Sequence, residues 1–146
     1  MNSVLIIDDE EKIRTLLTRI IGLEGFDVYE AANGKIALKK LEQQETDVVL
    51  CDVKLPDCNG VELVKEIKQK FPLTEIILLT AYGNIADGVQ AIKNGAFDYI
   101  TKPFDSEVLL LKIKAILKRN EEQNKESENK EFDLSSYHFN PKLRQL

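Results

Sequence analysis

Five short runs rich in β-branched residues, each followed by a stretch with helical apolar spacing, constrain this chain more than any other feature. The runs fall at residues 4–7, 28–29, 48–51, 76–79 and 97–100. Between them, Ile13, Leu16, Leu17, Ile20 and Ile21, then Ala37, Leu38 and Leu41, then Leu63, Val64 and Ile67, then Ile85, Val89 and Ile92 each predict one apolar face of a helix. A last helix carries Leu109, Leu110, Ile113, Ile116 and Leu117, with Asp105 or Ser106 placed to cap its start. Strands that are apolar throughout must be covered on both faces, and strand–helix alternation makes their sheet parallel. The expected fold class is therefore α/β, a doubly wound five-stranded parallel sheet with helices on both sides. In such sheets a ligand binds beyond the carboxyl ends of the strands, where strand order reverses.

Composition narrows what can happen there. A chain of 146 residues holds one domain of common size and a short remainder. The net charge of −5, with no Lys/Arg cluster, argues against direct nucleic acid binding. No apolar run is long enough for a membrane span, and residues 1–10 lack the pattern of an export signal, so the expected location is cytoplasmic. Cys51 and Cys58 lack metal-ligand spacing and are expected as reduced thiols. Residues 118–131 contain no apolar side chain and cannot bury a face, so the chain divides into a folded part, 1–118, and a charged linker with a short tail, 119–146.

The residues at the strand ends are polar. Asp8 and Asp9 follow the first strand, Asp52 the third, Thr80 the fourth and Lys102 the fifth, which brings all five to one edge. Singly, each has a commoner meaning: a helix cap, a turn former, a strand-end cap, a solvated lysine. Together they form a set. Clustered carboxylates resist ionisation unless a cation neutralises them, and a hard divalent ion such as Mg²⁺ suits a few carboxylates plus a phosphate. A carboxylate can also attack phosphorus. Asp52, alone on the central strand, is the candidate nucleophile, with Lys102 and Mg²⁺ neutralising charge and Thr80 donating a hydrogen bond.

The segments Leu5-Ile6-Ile7-Asp8-Asp9-Glu10, Leu50-Cys51-Asp52-Val53-Lys54-Leu55-Pro56-Asp57-Cys58-Asn59-Gly60, Leu79-Thr80-Ala81-Tyr82-Gly83 and Tyr99-Ile100-Thr101-Lys102-Pro103-Phe104 resemble the motifs of two-component response regulator receiver domains. The resemblance covers residues 4 to about 118. It implies a flavodoxin-like strand order 2-1-3-4-5, a phosphoacceptor at Asp52, and Mg²⁺ held by Asp9, Asp52 and the Lys54 backbone carbonyl, with Asp8 acting through water. It further implies that Thr80 and Tyr99 form a switch, that Ala81 leaves room for the phosphoryl donor, and that the Lys102–Pro103 bond is cis. The implied partners are a sensor histidine kinase and a second copy of the chain, docked through the face of helix four, strand five and helix five.

Within that family, Thr80-Ala81-Tyr82-Gly83 and residues 95–104 are similar to the NtrC-like activators of sigma-54 RNA polymerase. Residues 137–146 look like the opening of their AAA+ ATPase domain, which implies that an output domain is missing. No Gly-x-x-x-x-Gly-Lys-Ser/Thr motif occurs, so the expectation is a phosphoacceptor signalling domain and not an ATPase. Gly60 and Gly83 are read as loop positions that need unusual backbone angles. Among rivals, an aspartyl-phosphate phosphatase would carry a second Asp where Lys54 stands, and an FMN module would find Asp8-Asp9-Glu10-Glu11 repulsive. A receiver acting as an interaction domain without phosphorylation would not need the acids it keeps.

Overall fold

The first apolar run folds as β1 (Ser3–Ile7), every residue of it buried. In the computed structural model, which describes residues 2–81 and 84–119, it is followed by α1 (Glu11–Gly22), β2 (Asp27–Ala31), α2 (Gly34–Gln43), β3 (Val48–Asp52), α3 (Gly60–Lys70), β4 (Glu75–Ala81), α4 (Ile85–Lys93) and β5 (Asp98–Lys102). A helix over residues 106–119, α5, completes the series. The strands form one parallel sheet in the order β2-β1-β3-β4-β5. Strand order reverses beside β1, which puts a crevice at the carboxyl ends of β1 and β3.

Alternation along each strand feeds two cores. Leu5, Ile7, Val49, Cys51, Ile76 and Leu78 pack with Ala37 and Leu41 of α2, Val61, Val64 and Ile67 of α3, and Ala91 of α4. The intervening residues Val4, Ile6, Val48, Leu50, Ile77 and Leu79 face the other side, where Leu17 and Ile21 of α1 and Leu109, Ile113 and Ile116 of α5 supply the buried helix residues. Asp105 caps α5, its Oδ1 accepting from the Glu107 amide at 2.8 Å. Among the described residues no helix is long and apolar enough to cross a membrane.

The end of the sheet away from the crevice is stitched by polar contacts. Ser3 donates its amide to Asp47 Oδ2 and its hydroxyl to the Glu45 carbonyl, both at 2.9 Å, and the Thr74 hydroxyl donates to the Thr46 carbonyl at 2.8 Å. Leu73 projects from this end, 88% exposed.

Three expectations are revised. Asp52, Thr80 and Lys102 lie inside the carboxyl ends of their strands, because the parallel ladder pairs Asp52 with Leu79, Thr80 with Thr101 and Ala81 with Lys102. The Ile85, Val89 and Ile92 stripe of α4 is exposed, as is Leu16 of α1; α4 turns its small residues Gly88 and Ala91 inward because only they allow its close approach to β5. Gly60 does not adopt a positive φ. The described glycines that do are Gly25 and Gly95. Gly60 is required by proximity instead: a Cβ there would collide with the Asp52 carbonyl oxygen. Gly83 and, of the linker and tail expected at 119–146, residues 120–146 lie outside the described residues, while residue 119 still belongs to α5.

Candidate functional site

Because β1 and β3 are hydrogen-bonded neighbours, the acids at their carboxyl ends meet. Asp8, Asp9 and Asp52 each place a carboxylate oxygen within 4.8 Å of the others. Asp8 is fully buried, Asp52 partly buried and Asp9 exposed, so the cluster is open on one side only. Lys102, at the end of β5, reaches back across β4. Its Nζ lies 3.1 Å from Asp52 Oδ1 and 3.4 Å from Asp8 Oδ2. The Lys102–Pro103 bond is cis.

Local hydrogen bonds fix the carboxylates. Asp8 Oδ1 accepts from the Glu10 amide at 2.9 Å, and Arg14 of α1 donates Nη1 to the Asp8 carbonyl at 2.7 Å while its Nε holds Glu30 at 3.1 Å. Asp52 Oδ1 accepts from the Val53 amide at 2.9 Å as well as from Lys102. Among the described residues, no hydrogen bond reaches Asp52 Oδ2, which leaves one oxygen of the central carboxylate uncommitted.

Burial raises the Asp52 pKa; the Lys102 ammonium opposes this and the Asp8 carboxylate adds to it, with a net upward shift. Burial alone would lower the pKa of Lys102, but the Asp52 and Asp8 carboxylates outweigh it and the ammonium is held above its ordinary range. One ammonium cannot neutralise three carboxylates. The surplus negative charge and the all-oxygen donor set fit a hard divalent cation far better than a soft metal.

The loop after β3 is tightly tied. Lys54 and Asn59 form an isolated bridge, the Leu55 amide donates to the Cys58 carbonyl at 3.2 Å, and the Gly60 amide donates to the Val53 carbonyl at 2.6 Å. Asp57 in this loop accepts from the Gly34 and Lys35 amides, both at 2.9 Å, and so caps α2 from a distant part of the chain. With Asn33 accepting from Ile36 at 2.8 Å, the first three amides of α2 are all satisfied.

Asp8, Asp9, Asp52 and Lys102 are thus brought together as expected. The Thr80 hydroxyl is fully buried and donates to the Asn84 carbonyl at 3.2 Å, at the start of α4. Tyr99 is partly buried on β5, opposite Leu78, with its ring against α4. The sequence reading missed Arg14, Asp57 and Gly88. Arg14 acts through the Asp8 carbonyl and the Glu30 carboxylate, Asp57 through backbone amides remote in sequence, and Gly88 through the absence of a side chain, so no local pattern marks them.

A doubly wound parallel sheet with three carboxylates at the carboxyl ends of β1 and β3, and a lysine reaching them from the edge strand β5, has the layout of a signalling domain of the CheY-like kind. The chain belongs to the response regulator receiver domain family, which matches residues 4–114. It is 38% identical over 117 residues to the regulatory protein AtoC of Escherichia coli, covering 80% of this chain and 25% of AtoC. A receiver domain from Methanospirillum hungatei superposes with a TM-score of 0.80 at 33% identity, over 84% of this chain and 98% of that one. The beryllofluoride-activated NtrC4 receiver domain, solved as a dimer, superposes with a TM-score of 0.77 at 36% identity, over 82% and 98%. These similarities place the chain near the NtrC-like receivers. It spans 25% of AtoC's length and 49% to 62% of the length of further curated relatives.

Proposed function

We propose that this receiver takes a phosphoryl group from a sensor histidine kinase onto Asp52 and passes the change to an output domain. The observation that carries this reading is the Lys102 ammonium bridging Asp52 and Asp8, beside an Asp52 oxygen that no donor among the described residues reaches. In the transfer, an Asp52 oxygen bonds phosphorus while the P–N bond to the donor imidazole breaks, and the electron pair leaves with the imidazole. Lys102 neutralises charge on the phosphoryl oxygens. Asp8, Asp9, Asp52 and the Lys54 carbonyl would hold Mg²⁺, which when bound offsets the negative charge of the incoming group.

The switch consists of Thr80 and Tyr99. Thr80 exchanges its bond to the Asn84 carbonyl for one to the phosphoryl group, and the Tyr99 ring moves into the vacated space. The responding surface is the α4–β5–α5 face, where Ile85 (57%), Val89 (45%) and Ile92 (41%) of α4 stand exposed. A second copy of the chain covers this stripe in the switched state. The likeness to AtoC and NtrC4 supports sigma-54-dependent transcription activation as the output.

Intact mass after incubation with acetyl phosphate and Mg²⁺ tests the core of this. A gain of about 80 Da that requires Mg²⁺ and is absent from Asp52→Asn is the expected outcome. No gain under conditions that phosphorylate another receiver would overturn it and favour a domain that acts through contacts alone.

A further inference from the structure

We infer that Gly88, in the second turn of α4, is the seat of the Tyr99 ring and sets the balance between the two arrangements of the switch. A Cβ placed on Gly88 would lie 2.5 Å from Tyr99 Cγ, 2.5 Å from Cδ2 and 2.7 Å from Cδ1. These are the ring atoms nearest the Tyr99 backbone. A contact at the ring tip could be relieved by a small tilt, but one at Cγ is relieved only by rotating the whole side chain about χ1 or by moving the helix.

The same helix is tied to the other switch residue. The Thr80 hydroxyl donates to the carbonyl of Asn84, and the Asn84 amide donates at 3.0 Å to the carbonyl of Ala81. The start of α4 therefore follows Thr80, and its next turn holds Tyr99. Glycine inside a helix is unfavourable compared with alanine. The notch it leaves here is filled by an aromatic ring, which is the gain that offsets the local cost.

An alanine at 88 removes the seat that the ring occupies while Thr80 is bonded to Asn84, and so favours the other arrangement. Its higher helix propensity acts on both arrangements alike, so overall stability and switching respond separately. This inference rests on the reading of Thr80 and Tyr99 as the switch, and the test separates the two.

NMR of ring-labelled tyrosine, with the Tyr99 signal assigned by Tyr99→Phe, follows the ring directly. The probe of the switched state is beryllofluoride with Mg²⁺, added to the wild type and to Gly88→Ala. The expected result is that beryllofluoride moves the Tyr99 signal in the wild type, and that the signal of Gly88→Ala without it is already displaced from the unmodified wild-type position toward the moved one. The switching equilibrium shifts on the order of tenfold, as expected for overpacking a close contact. A Tyr99 signal in Gly88→Ala that stays at the unmodified wild-type position overturns the inference and leaves the switch reading intact. A wild-type signal that ignores bound beryllofluoride overturns both. Should Gly88→Ala fail to fold, recovery of the fold in Gly88→Ala/Tyr99→Ala supports the ring contact, and no recovery overturns it.

Discussion

Asp52 is held between two opposed influences, burial and Lys102, and burial wins. A carboxyl whose folded pKa lies above its unfolded value binds its proton more tightly in the native state. Stability then falls as pH rises from the ordinary value of 3.8 through the raised one, and the penalty persists at neutral pH. Asp52→Asn removes it. With a chelator present, the variant should melt above the wild type at pH 7, and the difference should vanish below the ordinary carboxylate range. A lower midpoint at pH 7 would mean that the attraction of Lys102 dominates. The thiols provide a second prediction at this scale. Cys51 is fully buried with its pKa raised by that burial, and burial together with the neighbouring Asp57 pushes Cys58 up to about 11. Iodoacetamide at pH 7 should therefore label neither quickly in the native protein and both in denaturant. The two glycines beside functional residues show where residue-level reading stops. Gly60 was expected to need unusual angles and is needed because the Asp52 carbonyl leaves no space for a Cβ; Gly88 carried no signal at all. Steric demand from a distant segment is invisible in a local sequence window, whereas Asp8, Asp9, Asp52 and Lys102 were legible because each closes an apolar run.

The elements themselves follow from apolar periodicity, but their partners do not. The helical spacing of Ile85, Val89 and Ile92 is real, yet it marks the outward side of α4, since spacing reports a face and not what covers it. The start of α2 depends equally on something outside the helix. Asp57 accepts the Gly34 and Lys35 amides, and those bonds hold its pKa below the ordinary carboxylate range. A depressed carboxyl contributes stability that is present above its unfolded pKa and lost as pH falls through the folded one. Asp57→Ala should accelerate hydrogen exchange at the Gly34 and Lys35 amides at neutral pH while leaving the α4 amides unchanged. Equal exchange in variant and wild type would show that Asn33 alone secures the helix start.

For the whole molecule, the exposed apolar stripe of α4 makes one prediction. Light scattering after size exclusion should give a monomer mass for the unmodified protein at low concentration and twice that mass with beryllofluoride and Mg²⁺. Replacing Ile85 and Val89 by lysine should hold the mass at the monomer value in both states, because charge on the stripe cannot be desolvated cheaply. A wild type that stays monomeric in both states would remove the dimer from the mechanism.

The sheet also has a second end, at which Ser3, Asp47, Thr46 and Thr74 lock the connections to one another and Leu73 stands in solvent. Parallel strands carry every reactive group to one pole and leave the other as a handle. A fluorophore or a fused reporter attached at Leu73 would sit the full length of a strand away from Asp52, so the protein can be tagged there and watched while it signals.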